Sequence, residues 1–381
     1  MMKEPSLSER SKLGSGRARY EPDARSLGTT CLSTDRLESD DVNADDGGVQ
    51  VMELAATARA GSAPLHKTSR PIPSPGPGQL LLEVAACAVC RTDLQIVEGD
   101  LAPHRLPIVP GHQIVGRVVA VGDGVSGWRV GDRAAAIWLA WACGTCEYCR
   151  SGRENLCRSA RFTGWDVDGG FATHFLVDAD FAVRPPAAFD DVQAAPLLCG
   201  GVIGYRALRL AGLRNGLRLG LYGFGASASL AIQVARAREA HIHVATRSEH
   251  EQRRALAMGA ESVGAYADPP PEPLEAAVTF APAGSVVIDA LRALAPGGRV
   301  VINAIHLDAI PAFDYQLLWE ERSLMSVANV TRRDAVEFLE LAAEIPIVTE
   351  WRQYQLTDAN AALADLTAGR LAAPAAVLTV R

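Results

Sequence analysis

Three sets of residues in this chain could do chemistry. Cys143, Cys146, Cys149 and Cys157 form a C-x2-C-x2-C-x7-C run in a loop of Gly, Ser and Arg that could not build a core by itself. Four thiolates at such spacing can close a tetrahedron around one Zn²⁺, and with every place filled by cysteine none is left for water, which marks a structural site. An iron–sulfur cluster is the rival occupant, although Cys157 lacks the proline that follows the last cysteine of ferredoxin-type runs. Two disulfides are a third reading, disfavoured in a reducing compartment. The second set is dispersed: Cys90 in CRTD, His112 in PGHQ and Cys199 in LLCGG, each at a junction beside Gly or a charged residue. Singly they read as buried thiols and an ordinary polar histidine; together a Cys2His set leaves a zinc one open place, the mark of a catalytic metal.

The third set is a candidate nucleotide site. The apolar run Leu217 to Tyr222 leads into Gly223-Phe-Gly225-Ala-Ser-Ala228 and then a helical stretch. That fits the G-x-G-x-x-[GA] turn, which brings backbone amides to a pyrophosphate at a helix N-terminus. Among 34 glycines such spacing can arise by chance, so its weight comes from the strand before it and the helix after it. About 20 residues on, an NAD site would carry Asp or Glu to hold the ribose diol. Here the segment reads HIHVATRS, with Thr246 at the carboxylate position and Arg247 after it. A repulsive charge against a 2′-phosphate is gone and a cation that could pair with it is present, which favours NADP(H) over NAD(H).

Stepping outward from these sets, the segment from Val51 to about Pro196 is a series of short apolar runs broken by Gly, Pro and Asp, such as LLLEVAACAV and IVGRVVAVGDGV. That texture predicts a small antiparallel barrel or sandwich. After Pro196 it changes to strands alternating with helices, with apolar runs at 217–222, 242–246, 262–265, 276–280, 299–305 and 323–328. The helical segments between them include SLAIQVARARE and VVIDALRALAPGG, the latter closed by a Gly pair. Six strands with crossover helices describe a doubly wound parallel (Rossmann) sheet, so the fold class is α/β with a second, mostly β domain. From Thr331 onward RRDAVEFLELAAEI and a final AAVLTV strand return to the first domain. The expected domains are thus 49–197 with 331–381, and 198–330, behind a disordered tail over 1–48 that is rich in Ser, Gly, Arg and Asp. An over-long start is the bland reading of that tail, since Met52 opens the first ordered-looking segment.

Composition bounds the partners. Of the 381 residues 48% are hydrophobic and 21% charged, with a net charge of -7, so the chain can bury real cores and lacks the basic footprint of a nucleic-acid binder. The longest apolar run, Ala134 to Cys143, is about half of the roughly 20 residues that a spanning helix needs, and the N-terminus has no apolar stretch after its charges. A cytoplasmic protein without membrane contact is the expectation. Trp138, Trp141 and Trp165 could wall an apolar pocket; Cys31, Cys87, His104, His174, His241, His243, His250 and His306 are given no chemistry.

CAVCRTDL, PIVPGHQIVGRV, CGTCEYCRSGRENLC, DGGFATH and LCGGVIGY, in this order, resemble the zinc-dependent alcohol dehydrogenases of the medium-chain dehydrogenase/reductase superfamily. The likeness runs from about Val51 to the C-terminus and implies that the β domain is GroES-like. It further implies two zinc ions per chain, a catalytic one on Cys90, His112 and Cys199 and a structural one on the four-cysteine loop. By the same resemblance Thr92 accepts the substrate's proton, Asp93 orients the ligating histidine, and Arg91 lies near the cofactor's phosphates. The substrate would be an alcohol, or an aldehyde in reverse, and the assembly a homodimer or homotetramer. Two positions depart from the family: Gln113 stands where Glu usually follows the histidine, and Gln95 where many members carry a proton-relaying His. The alternatives are a zinc- and nucleotide-binding regulatory or structural module without turnover, and a zinc-free quinone or enoyl reductase of the same superfamily.

Overall fold

The computed structural model describes residues 48–304, 307–371 and 375–380. The tail read over 1–48 lies, apart from Gly48, outside the described residues, as do Cys31 and His306.

The half from 198 to 330 holds a six-stranded sheet whose neighbouring strands are all parallel. Across the sheet the strands run Ser262–Gly264, His241–Ala245, Arg218–Tyr222, Leu274–Thr279, Leu294–Ile302 and Ser323–Ser326, so chain order reverses between Arg218–Tyr222 and Leu274–Thr279. Ligands of such sheets sit at that reversal, beyond the carboxyl ends of the strands. The two strands flanking it are almost wholly buried, because helices cover both faces; this is why they read as unbroken apolar runs and not as alternating ones. Helix Ala226–Ala237 turns Ala228, Leu230, Ala231, Ile232, Val234 and Ala235 inward against the sheet.

All six expected strands are present with most ends shifted by one to three residues, and the largest difference is the start of the fifth, at Leu294 and not Arg299. Helix Gly284–Arg292 stops at Ala293, and Gly297 and Gly298, read as its closing pair, belong to strand Leu294–Ile302. Leu294 pairs with Leu274 and Arg299 with Ala276, so the residues between them bulge, and Gly297 adopts the left-handed φ of 74° that the bulge needs.

The β half is a seven-stranded sheet centred on Gln79–Val89, which pairs antiparallel with Gln113–Val121, His174–Asp178 and Ala375–Thr379. The C-terminal strand therefore closes onto a strand laid down almost 300 residues earlier. A hairpin of Val49–Leu54 with Leu65–Arg70 packs into the same core through Val49, Val51, Met52, Leu54 and Leu65. The helix Arg332–Glu344 lies against helix Gly200–Ala211, where Phe338 fills the space above Gly201 and Asp334 pairs with Arg206 at 2.5 Å and Arg209 at 2.6 Å. Among the described residues no helix is long and apolar enough to cross a membrane.

Candidate functional site

Helix Arg91–Glu98 begins at Cys90, whose extended backbone lets its N–H donate to Asp93 Oδ2 (2.8 Å) while its Sγ accepts from the Thr92 N–H (3.3 Å). The cap aims the thiol off the end of the helix and fixes Asp93 one turn behind it. Asp93 Oδ1 in turn accepts from the Gly111 N–H at 3.1 Å and faces His112 Nδ1 at 3.0 Å. The imidazole is thereby oriented with Nε2 outward, 3.4 Å from Cys90 Sγ. Gly111 has a φ of 97°, and a Cβ there would lie 2.5 Å from the Phe171 ring, so only glycine lets the chain place His112 at this spot. Cys199, at the head of helix Gly200–Ala211, completes the set: the donor atoms of Cys90, His112 and Cys199 lie within 4.8 Å of one another.

These donors fit a zinc ion. Zn–S of about 2.3 Å and Zn–N of about 2.0 Å in a tetrahedron put sulfur and nitrogen about 3.5 Å apart, close to the observed separation. The protonation chemistry agrees. Cys90 is held well below the usual thiol range by the hydrogen bond from Cys199 and by nearby His112. Cys199 is pushed up by the same bond and by burial. His112 is raised because Asp93 and Cys90 outweigh its burial. Three donors thus compete for protons in a buried space, and a divalent cation ends the competition by taking two thiolates and a neutral imidazole as ligands. Asp93 already stands where an outer carboxylate holds the ligating imidazole.

The four-cysteine loop fits a single ion as well. Cys143 Sγ lies 3.8 Å from Cys149 and 3.6 Å from Cys157, and Cys146 lies 3.5 Å from Cys149. A zinc tetrathiolate has edges of about 3.8 Å, whereas a disulfide would bring sulfurs to about 2 Å and a cluster of several irons and sulfides would hold them wider apart. The sulfurs cannot all ionise unaided. Amides of Thr145 and Cys146 lower Cys143 to about 6, while burial and the neighbouring sulfurs push Cys149 up to about 12.

A cleft of about 2040 Å³ joins the three-donor set to the nucleotide turn; its lining includes Cys90, Thr92, His112, Cys199, Gly223 and Gly225. Gly223 has a φ of 93°, and a Cβ there would sit 2.9 Å from the Ala281 amide, so the turn at the strand end is open to glycine alone. Arg91, Ala228 and Arg247 also line the cleft. Thr246 is buried beside it, its N–H donating to Gly264 O at 2.9 Å. Arg247 makes no ion pair among the described residues, while its neighbour Arg254 is engaged by Glu251 at 3.1 Å and Glu350 at 2.8 Å.

Both departures from the family pattern face this cleft. Gln113 is buried, and its Nε2 donates to Ala88 O at 3.2 Å, tying the amide to the backbone. Gln95 is buried too, and its Oε1 has no hydrogen-bond partner among the described residues. Of the tryptophans, Trp138 lines the cleft; Trp165 stacks behind it at 6.0 Å, and Trp141 lies under the Arg161 guanidinium at 4.7 Å, lining a separate cavity. Cys87 is a buried core thiol, pushed up by burial. Residues that the sequence reading passed over are Asn329, which lines the cleft and meets Trp138 from far along the chain, and Glu154 and Asn155 of the four-cysteine loop, which hold the backbone on either side of it.

Residues 76–187 match the family described as alcohol dehydrogenase GroES-like domain, and residues 228–344 the one described as zinc-binding dehydrogenase. The chain is 47% identical over 323 residues to a protein named probable alcohol dehydrogenase AdhA from Mycobacterium tuberculosis, covering 83% of this chain and 93% of the relative. Among solved structures it is similar to a zinc-binding dehydrogenase of Sinorhizobium meliloti bound to NADP, with a TM-score of 0.76 and 25% identity over 87% of this chain and 99% of that one. It is also similar to an acetophenone reductase of Geotrichum candidum in complex with NAD, with a TM-score of 0.77 and 26% identity over 87% of this chain and 97% of that one.

Proposed function

This chain belongs to the zinc-containing medium-chain alcohol dehydrogenases, and on that premise we propose how its own residues divide the work of moving a hydride between an alcohol and a nicotinamide cofactor. The activity is zinc-dependent alcohol oxidation, or aldehyde reduction in reverse. The observation that carries the reading is the meeting of Cys90, His112 and Cys199 in the cleft that also contains Gly223 and Gly225. Seven zinc donors gathered in two clusters weigh against a zinc-free reductase.

When bound, zinc supplies a Lewis acid that lowers the pKa of an alcohol hydroxyl, and the nicotinamide supplies a hydride acceptor. Cys90, His112 and Cys199 hold the first group, with Asp93 keeping the imidazole tautomer that leaves Nε2 free to ligate. Thr92, buried and facing the cleft one residue from Asp93, relays the proton: its hydroxyl accepts from the substrate hydroxyl and gives up its own proton toward water in the cleft. Gln95 carries no titratable proton; its unpartnered Oε1 instead accepts from a hydroxyl of the bound ligands. The amides of the Gly223-to-Ala228 turn cradle the pyrophosphate, with Arg91 beside the phosphates.

The cofactor is NADP(H) in this reading, because Arg247 is a cation free to meet a 2′-phosphate and Thr246 puts no carboxylate in its way. A panel of primary, secondary and aromatic alcohols tests both parts: turnover is expected, with kcat/KM at least about tenfold higher for NADP than for NAD, equivalent to one charge-assisted contact. Higher efficiency with NAD would sink the cofactor assignment, and binding of cofactor without any turnover would favour the regulatory module.

The catalytic lobe comprises 49–197 with 331–381 and the nucleotide lobe 198–330; the pairing of Ala375–Thr379 with Gln79–Val89 supports the return of the last strand, while helix Arg332–Glu344 packs on helix Gly200–Ala211 of the nucleotide lobe. The chain works in the cytoplasm, where seven described cysteines stay reduced. It assembles as a homodimer or homotetramer. Supporting this, Ser323–Ser326 is a sheet-edge strand bearing half-exposed Met325, and Tyr315 and Trp319 lie exposed near its start. Sedimentation equilibrium should return a multiple of the 40.4 kDa chain mass, and Met325→Lys should lower it.

A further inference from the structure

Trp138 is 7% exposed, and its ring stands T-shaped to that of His112 at 5.0 Å and 77°. One face is stacked among Phe162, at 5.2 Å, and Trp165, at 6.0 Å. Stacking restrains tilt but leaves an indole able to slide and turn in its own plane, so the N–H is the group that fixes where the ring edge stands. That N–H donates to Asn329 Oδ1 at 3.0 Å, across 191 residues of sequence.

Asn329 is held for this task. It follows the last strand of the parallel sheet and precedes helix Arg332–Glu344, with a left-handed φ of 54°. The four-cysteine loop clamps the backbone on both sides of it: Asn155 Nδ2 donates to Ala328 O at 2.7 Å, and Glu154 Oε1 accepts from the Arg332 N–H at 3.0 Å. Both clamps are buried, at 4% and 5% exposure, so water competes little for these bonds. Thr331 then caps the following helix, its Oγ1 accepting from the Asp334 N–H at 3.1 Å.

We propose that Asn329 is a positioning residue that pins Trp138 as a wall of the substrate site, and so sets how bulky an alcohol the enzyme prefers. This rests on the reading of the Cys2His cleft as the place of alcohol oxidation. The left-handed backbone supplies clean variants, because Asn, Asp and Gly all tolerate it. Asn329→Gly keeps the backbone and removes the acceptor; Asn329→Asp keeps both.

In N329G the ratio of kcat/KM for benzyl alcohol to that for ethanol should rise about fivefold, the weight of one hydrogen bond, as the freed indole gives way to the larger substrate. N329D should restore the wild-type ratio, and in a W138F background, which has no N–H to pin, N329G should change nothing further. A ratio unchanged by N329G, or shifted equally with and without Trp138, overturns the proposal. Emission isolated as the difference between each protein and its W138F counterpart gives a second reading that needs no turnover. It should change on N329G and return in N329D; an unchanged Trp138 spectrum refutes the contact. Failure of the wild type to oxidise any alcohol would instead strike the functional reading, leaving the spectral test to decide on Asn329.

Discussion

Cys90→Ala should lower kcat/KM for alcohol oxidation by at least ~10³-fold, a barrier increase of about 4 kcal/mol, while the Kd for NADPH stays within about twofold of wild type. The separation of effects follows from the layout. Cys90 touches His112 and Thr92 on the catalytic side of the cleft, whereas the phosphate turn from Gly223 to Ala228 is built on a different sheet. Losing one of three donors removes the group that polarises the substrate and leaves the nucleotide turn as it was. His112→Ala should match it in size. Asp93→Asn should cost only about 10–100-fold, because it disturbs the orientation of a ligand without deleting one. Metal analysis checks the cause: C90A should retain near one zinc per chain where wild type carries near two. Full activity in C90A would refute the catalytic-zinc assignment.

The legible parts of this molecule are those whose chemistry is local in sequence. Four cysteines within 15 positions announce a metal because no other use of them is economical, and a strand buried on both faces betrays itself as a run such as LGLY. The catalytic set was harder, since Cys90, His112 and Cys199 span more than 100 residues and became a set through the family resemblance and the open coordination place, not through spacing. The Gly297–Gly298 pair misled for a related reason. A glycine pair after a helical run looks like a stop, and nothing nearby says that Leu294 has already joined Leu274. Asn329 was invisible, because its partners Trp138 and Asn155 are joined to its segment only by the folded chain. A lone Asn before a helix cap hints at a left-handed turn; it does not say what the side chain holds.

The same long-range clamps make the second large effect one of stability. Cys146→Ser should cost about 4 kcal/mol or more and lower Tm by on the order of 10 °C, together with the loss of one zinc of two. The loop has little else to order it. Cys143, Cys146 and Cys149 are only partly buried, the residues between them are largely exposed, and the loop's own backbone bonds are short-range turns such as Arg150 N–H to Cys146 O at 3.0 Å. Beside the core packing of Cys157, its buried hydrogen-bonded attachments include Glu154 and Asn155, which grip the segment carrying Asn329. Untying the sulfurs therefore frees two buried polar groups as well as the loop, and unpaired buried groups of this kind cost about 1–3 kcal/mol each. The two zinc-ligand variants should then separate cleanly. C90A should be inert and melt closer to wild type than C146S does, whereas C146S should melt early and, below its transition, keep measurable turnover with a relaxed preference between small and bulky alcohols. Differential scanning calorimetry alongside zinc analysis decides it, and a C146S protein with two zinc ions and an unchanged Tm would remove the four-cysteine loop from the stabilising framework.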